Sequence, residues 1–552
     1  MLRKLRRGEI DLLYVSPERV FSSGFLSTMR ALPAPGVTLV CIDEAHCVSQ
    51  WSHNFRPAFM RLRQVLRREW SDARVLALTA TATERTAQDV CDSLGITRSD
   101  SGMLRVSSSA RANINLTVSY ASCVPEERVA ELVKLLKESP RFAKRSTIVY
   151  VPTRVLSDRV TAVLRVNGLN ARAYHAGMKP FERAQVQEYF MQDRVRVVVA
   201  TVAFGMGVDK SNIGSVVHLS LPQSLENLVQ ETGRAARDAS TRGECHVFLG
   251  SSDVERQHHL LKASRVEPSV VSDIVKHVFD GCDGKYKAID MKDLCARIGT
   301  TSETVETVLS VAQVSFADTG SSSDSSDHGA NGPLLRVLPW LHLHVAVAFR
   351  SPIKELVEHS VVVKHFVSVA SMQRIAVEGI DGEFHHASIL DVVHEAQNEE
   401  DEEVDIARVQ RELVQLRADR HVALRWIDRR ACVELNHTHP WFERISENRD
   451  GFRAEFEEKI VAQLRRFEDL QWSKCEAVEK FLAYFAKNSV DECADFESNA
   501  TQRQQMADAL DAYFSCADTS QFTSHLAKLQ ERWKLERIPA RVDVSSGETE
   551  TK

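Results

Sequence analysis

The 552-residue sequence has few cysteines and no long apolar segment. Its eleven cysteines are scattered and form no C-x-x-C pair, which excludes a disulfide scaffold and favours buried thiols in a reducing compartment. No stretch reaches the ~18 consecutive apolar residues that a transmembrane helix needs, so no membrane-spanning segment is predicted. The basic start, MLRKLRRGEI, is not followed by the apolar region of a secretory signal. A mitochondrial presequence, which is also rich in arginine and poor in acids, is kept as a minor alternative.

The formal charge is unevenly distributed along the chain. The whole sequence has 70 Lys and Arg against 76 Asp and Glu, a net charge of −6. Residues 1–250 hold 34 basic against 24 acidic residues, or +10, whereas the remainder holds 36 against 52, or −16. A basic front half suits contact with a nucleic-acid backbone, because such contact releases counterions from the phosphates. An ordinary solvated surface has a similar composition, so charge alone leaves both interpretations open.

The first 250 residues contain short apolar runs with helical patterns between many of them. This alternation predicts parallel sheets with crossover helices, and runs rich in Val, Ile and Leu are expected where both faces of a sheet are covered. A segment near 101–125 separates two such blocks, so we predict an α/β fold with two parallel-sheet domains. The predicted strands are LLYV (12–15), VTLVCID (37–43), VLALTA (75–80), STIVYV (146–151), VRVVVAT (195–201), SVVHLS (215–220) and CHVFLG (245–250).

After about residue 250 the pattern becomes helical with a few strands. Residues 290–314 predict a helix that ends at Gly299 and a second helix capped by Thr301 or Ser302. A linker rich in Ser, Gly and Asp follows at 319–333, and the next segment, LRVLPWLHLHVAVAF, predicts strands.

Further helices are predicted in the last third of the chain. Residues 383–418 predict two amphipathic helices around the acidic run 399–403, which is typical of a solvated loop. Residues 421–435 then predict a hairpin, and helices followed by a hairpin are the order of a winged helix. We therefore predict two winged-helix-like modules, at about 286–350 and 383–436. From 440 onward the pattern predicts a packed helical core, with one apolar face formed by Phe452, Phe456, Ile460, Leu464 and Phe467.

Two acids follow an apolar strand in the sequence VCIDEAH. Because open α/β sheets bind ligands at the carboxyl ends of their strands, Asp43 and Glu44 are candidates for phosphoryl chemistry. Asp43 can hold Mg²⁺ against nucleotide phosphates, and Glu44 can orient and polarise the attacking water.

Other motifs strengthen this interpretation. Trp51, Phe55 and Arg56 lie in a loop just beyond the acids, where aromatic rings can stack on unpaired bases and Arg can hold the backbone. Far along the chain, QETGRAARD supplies Arg234 and Arg237, and an arginine offered across a domain cleft stabilises transition-state charge.

These motifs, in this order and spacing, resemble superfamily-2 DNA helicases of the RecQ family over about residues 1–250. The matching segments are LLYVSPER, CIDEAHCVSQWSHNFRP, ALTATAT, TIVYVPTR, AYHAGM, VATVAFGMGVDK and LVQETGRAARD. Within the family, Ser52, His53, Asn54 and the tail resemble the eukaryotic type 4 branch, associated with Rothmund–Thomson syndrome. That branch lacks or replaces the usual zinc-cysteine cluster, and no four-cysteine cluster is present here.

The resemblance implies roles for individual residues. Asp43 and Glu44 would be the Mg²⁺ and water residues, and His46 would be the coupling residue beside them. The aromatic-rich loop (Trp51, Phe55, Arg56) would sense DNA. Thr79 and Thr81 would relay between the domains. The implied DNA-track residues of the second domain are Arg154, His175, Gly177 and Thr201, and its implied nucleotide-cleft residues are Gly207, Asp209, Gln230, Arg234 and Arg237.

The sequence departs from the family in two places. Where the family has GRAGRD, Ala236 replaces a glycine, and the turn is strained if that site needs a positive φ. No G-x-x-x-x-G-K-[ST] phosphate loop is present, although the family has one upstream of LLYVSPER. A sheet that lacks strands exposes an apolar edge and face, so we expect that the chain is truncated at its N-terminus. As it stands, it should bind ATP weakly and turn it over negligibly.

The resemblance implies two RecA-like domains, the first one incomplete, in a 3′→5′ ATP-dependent DNA helicase that uses ATP and Mg²⁺. Its implied partners are single-stranded and branched DNA and replication or repair proteins, with no membrane. The implied processes are repair, recombination and replication in the nucleus, with cytoplasm or mitochondrion as alternatives. A second hypothesis is a non-catalytic DNA-binding or strand-annealing scaffold derived from a helicase.

The predicted domains are 1–105, the C-terminal part of the first helicase domain; 106–252, the second helicase domain; 253–350, a helical linker with a winged-helix-like module; 351–436, a second such module with the acidic loop; and 437–552, a helical region. Zinc is a minor alternative, because the spacing of the candidate ligands fits no strong zinc pattern. These candidates are Cys282, Cys295, His258, His259, His277, His342 and His344.

Overall fold

The structure of the protein is a computed structural model. It describes residues 4–5, 7–21, 23–30, 32–33, 36–49, 59, 62–97, 102–104, 111–205, 209–238, 240–263, 265–280, 285–316, 334–338, 341–377, 380–399, 404–436, 449–487, 500–516 and 518–536.

The strands in the described residues are β1 Leu39–Ile42, β2 Arg74–Ala77, β3 Ile114–Tyr120, β4 Thr147–Tyr150, β5 Ala171–Tyr174, β6 Val197–Ala200, β7 Ser215–His218, β8 Gly243–Leu249, β9 Tyr286–Ile289, β10 Leu335–Val337, β11 Leu341–Phe349, β12 Ser371–Val377, β13 Ile380–Ser388 and β14 Val422–Leu435.

The α-helices in the described residues are α1 Pro17–Val20, α2 Ser23–Arg30, α3 Leu62–Glu69, α4 Glu84–Leu94, α5 Pro125–Glu138, α6 Arg154–Val166, α7 Pro180–Met191, α8 Leu225–Thr232, α9 Ser251–Ala263, α10 Pro268–Phe279, α11 Met291–Ile298, α12 Ser302–Ser315, α13 Ile353–His359, α14 Val361–Val369, α15 Ile389–Asn398, α16 Ile406–Ala418, α17 Arg449–Lys487, α18 Ala500–Ser515 and α19 Thr519–Glu536. In this part of the chain, no helix has the length and apolarity that crossing a bilayer requires.

Two parallel sheets form the front half, which confirms the predicted α/β class. β1 pairs with β2, and a second sheet has the strand order β3-β8-β7-β4-β6-β5. Alternate residues of β4 and the residue after it enter two different cores: Ile148 and Tyr150 pack on one face of the sheet, and Val149 and Val151 on the other. Burial on both faces explains why the central strands are continuous apolar runs.

The predicted strand LLYV was wrong. Residues 12–16 form no strand, and Leu12 and Tyr14 are 68% and 86% exposed. Leu39, Leu76 and Leu78, on or directly after β1 and β2, are also about half exposed. An apolar run becomes a strand only where a neighbouring strand satisfies its backbone, and the described part of this sheet has two strands. These leucines give the described part of the two-stranded sheet an exposed apolar surface.

The back half contains a six-stranded antiparallel sheet with the path β10-β14-β11-β13-β12, and β9 also pairs with β14. The predicted helix–turn–helix was confirmed. Gly299 ends α11 with φ 73°, and the Thr304 amide donates to the Thr301 hydroxyl at 3.2 Å at the start of α12. The predicted helices in 383–418 are α15 and α16, but residues 383–388 belong to β13.

The predicted hairpin at 421–435 was wrong, because β14 continues through it as one strand. Asp428 takes a left-handed backbone with φ 56°, yet the pairing of β14 with β11 keeps its register on both sides of it. The Asp428 carboxylate is paired with Arg430 Nε at 2.8 Å. β14 belongs to the second predicted winged module but pairs with β9, β10 and β11, which lie in the first, and the domain boundaries stay predictions.

Helix α17 contributes to two separate cores. Phe452, Phe456, Ile460 and Leu464 pack with α10 and α12, which confirms the predicted apolar face. Further along the same helix, Phe481 and its apolar neighbours pack against the large parallel sheet. The helix therefore ties the core around α10 and α12 to the large parallel sheet.

Candidate nucleotide cleft and nucleic-acid track

The two predicted acids lie at the carboxyl end of β1, beside the carboxyl end of β2. The Ala45 amide donates to the Leu78 carbonyl at 2.8 Å, and the Leu78 amide donates to the Ile42 carbonyl at 2.9 Å. These bonds hold the acid turn and the TATAT segment together at one edge of the sheet. This edge is where open α/β sheets bind ligands.

Glu44 has a left-handed backbone, with φ 50° and ψ 42°. Such a conformation is uncommon for a residue with a side chain, and it is found mostly at functional turns. The Glu44 amide donates to Asp43 Oδ1 at 2.9 Å, so the two acids fix each other's turn. Asp43 is exposed, whereas the Glu44 side chain is 33% exposed.

A buried histidine joins the acids to the TATAT segment. His46 is 1% exposed, and its Nδ1 lies 3.3 Å from Glu44 Oε2 and 3.0 Å from the Thr79 hydroxyl. The same hydroxyl accepts a 3.3 Å hydrogen bond from the Thr81 amide. The structure thus brings Glu44, His46, Thr79 and Thr81 into one connected group, although their predicted roles stay predictions.

A residue of the second α/β domain meets this group. Gln230 lies in α8, and its Nε2 is 3.5 Å from Glu44 Oε1. The Ser224 side chain caps α8 by accepting from the Asn227 amide at 3.2 Å, so the helix begins at a fixed place. Two predicted nucleotide residues, 186 positions apart in the chain, therefore face each other across the two domains.

The two predicted arginines have different environments. Arg234 is 7% exposed and donates to the Gly205 carbonyl, within its own domain. A Cβ added to Gly205 would lie 2.8 Å from Arg234 Nη2, so a side chain there would displace the guanidinium. Arg237 is 36% exposed and is paired with Asp209, which is 88% exposed. Of the two arginines, Arg237 has the better access to a ligand from solution.

The alanine at the unusual position of GRAARD has a positive φ. Ala236 is 1% exposed with φ 46°, which answers the question that the sequence left open: the site needs a left-handed residue. Its amide donates to the Ile213 carbonyl at 2.8 Å, and its carbonyl accepts from Asn113 Nδ2 at 2.9 Å and from Arg111. These bonds hold the strained backbone in place.

Three predicted track residues lie together. A Cβ added to Gly177 would lie 3.2 Å from His175 Nδ1 and 3.3 Å from Arg154 Cδ, so the three residues are close neighbours. His175 Nε2 is 3.2 Å from Asp158 Oδ1. Thr201 follows β6, and its amide donates to the Tyr174 carbonyl at 3.3 Å, so all four follow strands or begin a helix at one edge of the sheet.

Several predicted residues cannot be placed. Trp51, Phe55 and Arg56 of the aromatic-rich loop lie outside the described residues, as does Gly207. Their roles stay predictions.

Sequence reasoning missed a buried polar network beneath the cleft. Glu231 of α8 lies 2.7 Å from His218 Nε2, and the His218 ring stacks on Tyr150 with centroids 5.4 Å apart. The Tyr150 hydroxyl donates to the Phe204 carbonyl at 2.8 Å. Burial, with the nearby Glu231 charge, raises the pKa of Tyr150, which therefore stays a neutral donor. The sequence signal that could have revealed this network is a polar residue at the end of an apolar strand: Tyr150 ends TIVY and His218 ends SVVH.

The described residues contain no group of three or more His, Cys, Asp or Glu side chains that could hold a metal ion. The zinc alternative thus has no support in this part of the chain, and Cys282 lies outside it. His344 stacks on His386 instead, with centroids 5.2 Å apart.

No disulfide joins the nine described cysteines, and five of them are buried. One exposed carboxylate, Asp43, fits a Mg²⁺ ion that takes its other ligands from water and phosphates.

Comparison with known proteins agrees with this geometry. Residues 1–90 match the family model of the DEAD/DEAH box helicases, and residues 127–239 match the helicase conserved C-terminal domain. The chain is 42% identical over 279 residues to the ATP-dependent DNA helicase Q-like 5 of Arabidopsis thaliana, covering 50% of this chain and 30% of that protein.

Two further relatives show the same pattern. The human ATP-dependent DNA helicase Q4 is 38% identical over 299 residues, which are 51% of this chain and 24% of that protein. The ATP-dependent DNA helicase RecQ of Pasteurella multocida is 40% identical over 258 residues, which are 47% of this chain and 38% of that protein. The chain thus spans well under half the length of each of these relatives.

Proposed function

The first half of this chain is homologous to the RecQ-family DNA helicases, and from that homology we propose that its two parallel-sheet domains belong to an ATP-dependent motor that unwinds DNA from 3′ to 5′. The contact between Glu44 of one domain and Gln230 of the other carries the proposal. It joins two motifs that are far apart in sequence at the ligand-binding edge of the sheets.

The proposed chemistry depends on position and charge. Asp43 would hold Mg²⁺ against the nucleotide phosphates, and Glu44 would orient the attacking water. Arg237, which is partly exposed, would offer positive charge to the transferring phosphoryl group. His46 would transmit changes at Thr79 to Glu44, because it lies within 3.3 Å of both side chains.

The sequence contains no G-x-x-x-x-G-K-[ST] loop to cradle the phosphates. The proposal therefore concerns a protein in which these residues act together with such a loop. For the 552-residue chain alone we expect weak ATP binding and negligible turnover.

The first experiment is to sequence the 5′ end of the native transcript and to assay the protein that it encodes. An in-frame extension with a phosphate loop should give DNA-stimulated ATP hydrolysis and unwinding. Glu44→Gln should then lower the rate of hydrolysis by about 100-fold or more and spare DNA binding, because removing an aligned catalytic group costs several kcal/mol of activation free energy.

The exposed acid Asp72 supplies the control, since Asp72→Asn should leave the rate unchanged. Wild-type turnover by the Glu44→Gln protein would refute the role of Glu44. Hydrolysis without any unwinding would refute the helicase proposal.

The net charge of +10 over residues 1–250, which suits contact with phosphates, supports a second candidate, a DNA-binding or strand-annealing scaffold without a motor. This candidate predicts that the chain binds single-stranded DNA and anneals complementary strands without ATP. Failure to anneal would exclude the annealing role, and ATP hydrolysis by the native protein would exclude the whole candidate.

The winged modules differ in their suitability for DNA. Helix α12 contains no Lys or Arg, includes Glu303 and Glu306, and is largely buried. Helix α16 contains Arg408, Arg411 and Arg417. Since phosphate contacts need positive charge, the second module is the better candidate for duplex contact, and the first is better suited to packing.

We further propose single-stranded and branched DNA as substrates, and repair, recombination and replication in the nucleus as the setting. Imaging of the tagged native protein tests the localisation.

A further inference from the structure

A buried ion pair joins the C-terminal helices to the cleft. Lys474 of α17 lies with its Nζ 2.7 Å from Glu226 Oε1, and the two side chains are 4% and 2% exposed. Glu226 is in the first turn of α8, the helix that carries Gln230. Since a buried charge without its partner is strongly destabilising, each of these residues constrains the position of the other.

Further contacts hold the same junction. Tyr513 of α18 is 3% exposed and hydrogen-bonds to Glu226, and the burial of its ring together with this contact raises its pKa. Cys475, next to Lys474 on α17, has its thiol 2.8 Å from Gln257 Oε1. Glu226 is thus held by side chains from two C-terminal helices.

The segment that leads into α8 is held from the same side. Gln257 of α9 donates through Nε2 to the carbonyls of Leu221 and Pro222, at 2.8 and 3.0 Å. On the neighbouring turns, the His258 ring stacks on Trp472 of α17, with centroids 3.3 Å apart. Both the start of α8 and the loop before it therefore depend on where α17 lies.

Apolar packing alone would be enough to attach α17 to the domain. Val478, Phe481 and Phe485 are fully buried against the large sheet. Replacing a buried ion pair by apolar residues is often neutral or stabilising, so the pair is not needed for attachment. A buried charged pair instead fixes register, because only one placement of α17 against α8 satisfies both charges.

We propose that Lys474 is a positioning residue, which sets α8 so that Gln230 meets Glu44. Glu226 and Gln230 are four residues apart and lie on the same side of α8. A displacement of the first turn therefore moves the residue that faces the acids. This inference rests on the proposed function for its meaning, but the placement of α8 can be measured without nucleotide.

The test compares three variants of the full chain by hydrogen exchange and mass spectrometry. Lys474→Met removes the charge, Lys474→Arg keeps it, and Lys480→Met removes an exposed lysine on the same helix. Lys474→Met should speed the exchange of the α8 amides by about tenfold or more, since local opening follows the lost stabilisation. Lys474→Arg should regain most of the protection, and Lys480→Met should match the wild type.

Amides of α5, which packs on the opposite face of the sheet from α17, report whether the whole domain has opened. If they also exchange faster in Lys474→Met, the milder Tyr513→Phe decides, because it removes one hydroxyl from Glu226. It should speed the exchange of α8 about fivefold, as expected for a lost hydrogen bond to a charged group. Unchanged α8 exchange in both variants would overturn the inference.

The same data separate this inference from the proposed function. If the native protein hydrolyses no ATP but the α8 amides exchange faster in Lys474→Met, the proposed function is refuted and the positioning role is supported. If the native protein is an active helicase but α8 does not respond, the positioning role alone falls.

Discussion

Glu44 and Ala236 both have left-handed backbones without being glycine, with φ 50° and 46°. The two cases differ in their surroundings. Glu44 is partly exposed at the ligand edge of the sheet, where a strained turn can aim a side chain. Ala236 is buried, and its methyl group can neither hydrogen-bond to a ligand nor take part in a reaction. The strained backbone at Ala236 therefore lowers stability without contributing to function.

Ala236→Gly should stabilise the protein. A left-handed L-residue costs about 1–2 kcal/mol, and the extra freedom of glycine in the unfolded chain takes back about 0.5–1 kcal/mol. We expect a net gain of about 0.5–1 kcal/mol in the free energy of unfolding, measured by denaturant titration. The neighbouring Ala235, which is also buried but has no positive φ, provides the control. Ala235→Gly should lower stability, and a gain of equal size there would contradict the explanation.

Arg154 should contribute to the salt dependence of single-stranded DNA binding. Each phosphate contact on a single strand contributes about 0.7 to the slope of log affinity against log salt. Arg154→Ala should therefore reduce this slope by about 0.7, as measured by fluorescence anisotropy at several salt concentrations. Arg165 lies at the other end of α6, about 16 Å away along the helix, and serves as the control. Equal slopes for the two variants would remove Arg154 from the DNA track.

Part of the candidate site could be predicted from the sequence. Asp43, Glu44 and the TATAT threonines follow apolar strands, and the carboxyl ends of parallel strands meet at one edge. The burial of Arg234 could not be predicted, because it depends on a glycine carbonyl that lies 29 positions away in the chain. The Tyr150–His218 stack was missed for the same reason: it needs the order of the strands and not only their positions.

At the scale of elements, most strands that are continuous apolar runs were predicted, and strands of mixed composition were missed. β4, β6 and β7 are fully buried runs and were found from composition. β3 alternates buried and half-buried residues, and β5 contains one buried residue among ARAY, so neither forms a continuous apolar run. The predicted hairpin failed because Asp428 and its two arginines have the composition of a turn, whereas their pairing partners on neighbouring strands keep β14 straight.

The edge strand β3 is held to β8 partly by a histidine that should make stability depend on pH. His246 is 3% exposed and lies 2.8 Å from the Thr117 hydroxyl and 3.0 Å from the Ser119 hydroxyl. Burial, with the positive charge of Arg141, lowers its pKa to about 3. The unfolded chain binds a proton near pH 6.5, so falling pH favours unfolding between about pH 6.5 and 3.

Lowering the pH from 7 to 5 should therefore reduce the free energy of unfolding by about 2 kcal/mol through His246. His246→Gln should reduce the loss over this interval by that amount, as measured by denaturant titration at each pH. The exposed His259 is the matched control, and His259→Gln should keep the wild-type pH dependence. An identical acid loss in the His246→Gln protein would show that this imidazole is not responsible.

At the scale of the whole molecule, one helix takes part in two cores, and the cores can be perturbed one at a time. The centroid of the Phe456 ring lies 5.2 Å from that of Phe279 in α10 and 4.2 Å from that of Phe316, which follows α12. Phe481 is buried in the core on the large parallel sheet. Truncating a buried phenylalanine to alanine costs about 3–5 kcal/mol.

Phe456→Ala should therefore open α10 and α12, and Phe481→Ala should open the large sheet, as seen by hydrogen exchange. Each variant serves as the control for the other, because both remove the same atoms from the same helix. If both variants open the same segments to the same extent, the two cores form one cooperative unit and the prediction is wrong.

Helix α17 is long enough to transmit a change at Lys474 to contacts far from that residue. A straight helix of 39 residues is about 58 Å long. Lys474 lies 25 residues from the first residue of the helix, about 37 Å along its axis, so a rigid tilt of about 5° around Lys474 displaces that end by about 3 Å. The helix can thus act as a lever arm between α8 and the core around Phe456.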